Sequence, residues 1–304
     1  MNERTQRAAV AGASKDLGGG TSEAVREERV EVAGLRTRYL TAGEGPPLLL
    51  LHGVGDDASD WLWAMPYLAR AYRVYAPDLP GSGGSAGPPA ERYSPAFFGR
   101  FVGAFLDTLG VDRAAVVGNS LGGLAALRFA LSEPERVAAL GLVAPAGLGR
   151  RVNPALRSLA LPGYGGLAAA WGKRRPGAAQ RALGRSAIVF PRPWRAPWGW
   201  LKQQYRLARL PGFLEAQLAT ARSQVGLKGQ REVLLDRLPE LEAPTLVVWG
   251  ERDRVLPPSQ AREAMARLRN ATLELAPDCG HLPQVEQPER FASALARFLD
   301  AKAR

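Results

Sequence analysis

Ser120 stands in Gly118-Asn119-Ser120-Leu121-Gly122-Gly123, between an apolar run and a helical one. Glycine two residues before and two after a serine suits a sharp strand-to-helix turn, because only small residues there let the two elements approach closely. Such a turn lifts the serine to the carboxyl edge of a sheet. It also sets the serine at a helix N-terminus, where backbone N–H groups favour developing negative charge. The chemistry this permits is nucleophilic attack on a carbonyl carbon, with the Leu121 N–H as first oxyanion donor. A second donor is expected from His52-Gly53-Val54-Gly55, which follows the apolar run PLLLL. Val54 N–H is the candidate there, since its flanking glycines let the backbone turn its amides toward a carbonyl oxygen.

A serine hydroxyl needs an imidazole to take its proton, and that imidazole needs a carboxylate on its other nitrogen to fix the tautomer. The chain has only two histidines. His52 directly follows a buried-looking strand and reads as a structural loop residue. The base is therefore His281, in the glycine-flexed loop Asp278-Cys279-Gly280-His281-Leu282-Pro283. Asp253 is the best orienting acid, because it follows the apolar run PTLVVWG in Gly250-Glu251-Arg252-Asp253-Arg254-Val255. Glu251 is weaker, being too close to the strand end, and Asp278 is the fallback. Gly53, Asn119 and Leu282 border these positions and are the candidates for substrate contact. Cys279 has no second soft ligand nearby and reads as a buried thiol, so neither a metal nor any other cofactor is expected.

These residues need a scaffold that brings strand ends together. Apolar runs at 47–53, 72–78, 114–120, 137–145, 244–250 and 271–276 alternate with helical patterns at 94–110, 121–133, 258–269 and 287–300, after a strand–turn–strand opening from residue 29. Strands alternating with helices imply an α/β fold, a mostly parallel sheet flanked by helices on both faces. The alternation breaks at about 147–232, where Gly, Pro, Trp and Arg dominate and no strand pattern stands out. That stretch reads as an inserted, mainly helical cap. The expected organisation is a disordered tail over 1–28, a core from 29–146 and 233–304, and the cap over 147–232.

The formal charge of +11 is concentrated. Residues 149–231 hold 16 Lys and Arg against the single acid Glu215, and the rest of the chain nets −4. No nucleic-acid reading element accompanies the cluster, so nucleic acid is not an expected partner. Nor does any apolar stretch approach the roughly 18 residues needed to span a bilayer. One cysteine excludes an intrachain disulfide, and the cytoplasm is the default location.

Taken together, HGVG, DLPGSG at 78–83, GNSLGG, WGERDRVLP and GHLPQVEQPE make residues 29–304, the cap aside, resemble the α/β-hydrolase superfamily. In that family the 78–83 loop is structural and lines the pocket. Serine at the nucleophile position sets the chain apart from the haloalkane dehalogenase and epoxide hydrolase branches, which use aspartate there. Asn119 resembles the residue before the nucleophile in hydrolases that cleave carbon–carbon bonds of aromatic ring-fission products. Those enzymes commonly have tryptophan where Leu282 stands and an asparagine near Trp61-Leu62-Trp63. The resemblance implies a serine hydrolase acting on a small to medium carboxylic ester, with carbon–carbon bond hydrolysis or a non-catalytic ligand-binding homologue as alternatives. Cap arginines facing the pocket are candidates to pair with a substrate carboxylate.

Overall fold

A computed structural model describes residues 25–302. Its frame is an eight-stranded sheet built from β1 (Arg26–Val32), β2 (Leu35–Ala42), β3 (Pro47–Leu51), β4 (Arg73–Pro77), β5 (Ala114–Asn119) and β6 (Val137–Val143), with two later strands. A small hairpin, β7 (Val225–Gly226) and β8 (Gly229–Gln230), precedes those strands, which are β9 (Thr245–Gly250) and β10 (Ala271–Ala276). The order is β1-β2-β4-β3-β5-β6-β9-β10. β1, β2 and β4 pair antiparallel, and every contact from β4 to β10 is parallel. Residues 1–24 of the expected tail lie outside the described residues, but its last three belong to β1, which pairs Arg26 with Thr41.

β3 shows why these strands read as unbroken apolar runs. Leu49 and Leu51 pack into one core cluster while Leu48 and Leu50 pack into another, so both faces of the strand are dry. Each fully buried leucine contributes about 1.5–3 kcal/mol by leaving water. The first cluster is covered by α1 (Pro95–Thr108), through Phe98, Phe101 and Phe105, and by α2 (Leu121–Ser132), through Leu124 and Leu127.

Between β6 and β9 the chain forms an insertion of α3 (Tyr164–Gly172), α4 (Arg175–Val189), α5 (Trp198–Ala208) and α6 (Phe213–Gln224), together with the β7–β8 hairpin that the sequence pattern does not announce. Ala178, Leu207, Ala208, Phe213 and Leu214 give these helices a small core of their own. Phe190 and Trp200 join the main cluster, meeting edge to face at 4.9 Å.

Past the insertion, α7 (Ser259–Met265) packs on the α1–α2 face through Ala261 and Ala264. It is shorter than the helical pattern over 258–269. The closing helix α8 (Pro288–Lys302) covers the opposite face through Phe291, Leu295, Phe298 and Leu299.

Candidate active site

The loops after β3, β5, β9 and β10 carry the candidate residues, and all four leave the carboxyl edge of the parallel strands, where open α/β sheets form their sites. Ser120 sits between β5 and α2 with φ 53° and ψ −113°, a backbone strained for any residue but glycine. The surrounding packing imposes it. A methyl group on Gly118 would lie 2.2 Å from the Gly122 backbone, and one on Gly122 would lie 2.2 Å from the Leu51 carbonyl. The turn is clamped by Ser120 N–H donating to Val143 O at 3.1 Å and by Ser120 O accepting from Ala146 N–H at 2.9 Å.

His281 and Asp253 come together across the ends of β10 and β9. His281 Nδ1 lies 2.8 Å from Asp253 Oδ2, and the Asp253 side chain is wholly buried. The other carboxylate oxygen accepts Val255 N–H at 2.7 Å and Leu256 N–H at 3.0 Å. With Asp253 accepting, the proton sits on Nδ1 and His281 Nε2 is left as an acceptor. Neither alternative acid competes. Glu251 is exposed, and half-exposed Asp278 faces Arg252 at 2.8 Å and Arg192 at 3.6 Å.

His52 belongs to the loop structure, as its place in the sequence suggests. Leu79 N–H donates to His52 Nε2 at 2.9 Å, so Nδ1 carries the proton and donates to Gly53 O at 2.8 Å. Asp78 fixes the next loop: it takes both contacts from Arg38 Nη1 at 3.0 Å and accepts Ala58 N–H and Gly84 N–H. Gly53 is pressed against Ser120, since a methyl group on it would stand 3.2 Å from Ser120 Cβ.

Two expected substrate contacts have other employment. Asn119 is buried, and its Nδ2 donates to Val143 O at 3.0 Å and to His281 O at 3.1 Å, so it ties the elbow to the histidine loop. Leu282 is fully buried in the main core.

Several residues that shape the site escape sequence reasoning. Glu286 Oε1 accepts Gly280 N–H at 2.9 Å and Leu282 N–H at 3.3 Å, bracketing His281. Burial pushes its carboxyl up to about 7. Burial also pushes the Cys279 thiol up, keeping it protonated.

The insertion holds the 52–57 loop directly. Arg185 Nη2 reaches both oxygens of Asp56 at 2.8 and 2.9 Å, while Arg185 Nη1 donates to Val54 O at 3.3 Å. Gln217 accepts Gly55 N–H at 2.6 Å, and Arg181 donates to Gly55 O at 3.2 Å. Arg206 pairs with Asp57 at 2.6 Å; against the desolvation that pushes it up, Arg206 and Arg38 hold Asp57 below the usual carboxylate range. Asp60 is bonded by Gln203 at 3.0 Å rather than by a cation, and burial, with Asp56 and Asp57 beside it, raises its carboxyl well above the usual range against the field of Arg185. Of the inward-facing arginines, then, Arg185 and Arg206 are spent on the protein's own carboxylates. Arg181 bonds only neutral acceptors, Gln204 and Gly55, and desolvation followed by repulsion from Arg185 pushes it down to about 9. The sequence signal for this network was the acidic run Asp56, Asp57, Asp60 beside a uniquely basic insertion.

A separate cleft of about 340 Å³ beside Asp253 is lined by Arg150, Arg151, Arg157, Lys228 and Arg254, and it does not include Ser120 or His281. No helix among the described residues is long and apolar enough to cross a membrane.

Known proteins share the fold. The chain is 33% identical over 277 residues to the 2-hydroxymuconate semialdehyde hydrolase of Pseudomonas sp. (strain CF600), an alignment covering 88% of this chain and 91% of that one. A meta-cleavage product hydrolase from Pseudomonas fluorescens IP01 superposes with a TM-score of 0.77 at 27% identity, covering 90% of this chain and 97% of that one. A bacterial membrane phospholipase A superposes with a TM-score of 0.78 at 28% identity, covering 99% and 91%. The family model for the alpha/beta hydrolase fold matches residues 46–288, and with the sheet order and the strand-end loops in place the chain belongs to that family of hydrolases.

Proposed function

We propose that the protein is a serine hydrolase that opens a small to medium carboxylic ester through an acyl-enzyme on Ser120. The observation that carries this reading is the buried His281–Asp253 bond facing the same sheet edge as a serine in a strained elbow. Asp253 holds the imidazole with its proton on Nδ1, so Nε2 takes the Ser120 proton as Oγ attacks the carbonyl carbon. The oxyanion is received by Val54 N–H and Leu121 N–H, and the protonated imidazole returns its proton to the leaving oxygen. Water then repeats the sequence on the acyl-enzyme and frees the acid. Gly53 stays in the role of a substrate-contacting loop residue. Asn119 and Leu282 act through the positions of Ser120 and His281. The 147–232 insertion serves as the cap, and the likeness to a phospholipase A supports ester chemistry.

Hydrolysis of a carbon–carbon bond in a meta-cleavage-type diketo acid is the second reading. Its support is the 33% identity to a 2-hydroxymuconate semialdehyde hydrolase over nearly the whole chain. Both readings need an activated Ser120, so the first experiment is labelling with a fluorophosphonate and intact-mass analysis. A single adduct on Ser120, absent from Ser120→Ala, is expected; no adduct, or one on another serine, would sink both. A panel of p-nitrophenyl esters of rising acyl length, run beside a vinylogous 1,5-diketo acid, then separates them by relative kcat/KM.

A further inference from the structure

Helix α4 turns two cations inward beside its buried Ala178, Ala182 and Val189, and apolar side chains outward. Its two inner arginines, Arg181 and Arg185, point toward the 52–57 loop, whereas Pro176, Ala179, Leu183 and Ala187 line its solvent side. A surface helix ordinarily does the reverse. The neighbouring α3 also exposes apolar side chains, Tyr164, Leu167, Ala168 and Trp171, at helical spacing. α4 packs against α3, α5 and the Pro193–Arg195 turn, and Trp171 Nε1 bonds Gln180 Oε1 at 2.8 Å, so these outward faces adjoin. On the turn and at the start of α5 stand Trp194, 80% exposed, and Trp198, 69% exposed; Leu167 and Leu183 are 73% and 62% exposed. Among the described residues, the large apolar side chains left most open to solvent all fall within 161–227. Single exposed apolar residues are ordinary, but a contiguous group of them marks an interaction surface.

The rim of this surface is basic. Arg174 and Arg175 cap the α3–α4 corner, Arg195 follows Trp194, and Lys202 lies 5.6 Å over the Trp198 ring. None of these four is in an ion pair among the described residues. Aromatic and aliphatic side chains ringed by lysine and arginine match the boundary between headgroups and acyl chains of an anionic bilayer. Trp194 and Trp198 combine an apolar body with a polar N–H, which suits that layer. A second copy of the chain is the poorer fit, because a two-fold contact would press one basic rim on another.

We infer that the outer face of α3, α4 and the Pro193–Trp198 segment docks the protein on an anionic phospholipid surface, with Leu167, Leu183, Trp194 and Trp198 entering the interfacial layer. The docking is independent of the hydrolase reading and needs no turnover to be seen. The test is co-sedimentation of the full chain with vesicles of phosphatidylcholine alone and of phosphatidylcholine mixed with phosphatidylglycerol. Partition into the mixed vesicles is expected to exceed that into neutral ones by about tenfold or more and to fall as salt is raised. Replacing Leu167, Leu183, Trp194 and Trp198 together by serine should lower that partition by about tenfold. The circular dichroism spectrum should not change, because all four side chains are exposed. Three results overturn the inference: no binding to the anionic vesicles, binding that survives the quadruple substitution, or a solution dimer that the same substitution dissolves.

Discussion

Asp253→Asn is the substitution whose outcome the structure fixes most tightly. Asparagine can sit at 253 in two ways. In one, its carbonyl oxygen keeps the two N–H groups of Val255 and Leu256, now bonded to Oδ1 at 2.7 and 3.0 Å, and its NH2 faces His281 Nδ1. In the other, the NH2 faces those two N–H donors and leaves both buried without acceptors, at about 1–3 kcal/mol each. The first orientation therefore wins. It makes His281 Nδ1 an acceptor and moves the proton to Nε2, the nitrogen that receives the Ser120 proton in the proposed mechanism. The same tautomer error lowers turnover by about 10⁴ in a well-studied serine protease, equivalent to about 5.5 kcal/mol of transition-state stabilisation. We expect a kcat loss of that order on a p-nitrophenyl ester, with the fold intact by circular dichroism. Glu251→Gln and Asp278→Asn should stay within about twofold, since neither side chain touches the imidazole. An Asp253→Asn enzyme retaining more than about a tenth of wild-type kcat would refute the assignment of Asp253 and the tautomer argument with it.

Arg185→Met strands the buried Asp56 carboxylate, and a stability loss of about 3–5 kcal/mol is expected in chemical denaturation, most of it recovered when Asp56→Asn is added. Glu286, pushed up to about 7 from an ordinary 4.5, holds its proton in the folded state while the unfolded chain releases it. Stability should thus fall as pH rises from about 4.5 to 7, by about 1–2 kcal/mol after discounting for partial exposure; an equal slope in Glu286→Gln would refute this. Esters bearing a free carboxylate should show a lower KM than neutral isosteres and lose the advantage in Arg181→Gln, because Arg181 is the inward-facing cation not already paired with a carboxylate. A KM difference that persists in that variant would place the anion elsewhere.

The core and the site were legible in the sequence to different depths. Strand-end motifs could be read because each is local: the glycines that shape the Ser120 elbow lie within two residues of it, and Asp253 follows its own strand by three. Asn119 was legible in place but not in role, since its partner His281 O is 162 residues away. The clamp on the 52–57 loop was hidden for the same reason, Arg185 reaching Asp56 across 129 residues. Nor does the sequence show that Ala179, Leu183 and Ala187 of α4 face water while Arg181 and Arg185 face inward. That orientation is decided by Asp56, Gly55 and Gln204, which draw the arginines inward. The hairpin β7–β8 is too short, at two residues per strand, to leave a pattern.

Part of the charge imbalance of the chain is used where the insertion meets the core. A mildly acidic body presents Asp56, Asp57 and Asp60 in and beside the 52–57 loop, and a basic insertion answers with Arg185, Arg206, Gln203 and Gln204. Buried carboxylates of this kind are tolerated only while their partners stay in place. The 52–57 loop is held by Arg185 on its Val54 carbonyl and by Gln217 on the Gly55 amide, so the oxyanion geometry proposed for Val54 would depend on the insertion being seated. His281 is tied the same way, its N–H donating to Val189 O at the end of α4 at 2.8 Å. One helix thus contacts both His281 and the 52–57 loop from its inner side while exposing apolar side chains on its outer side. A shift of α4 would be felt at both parts of the site at once.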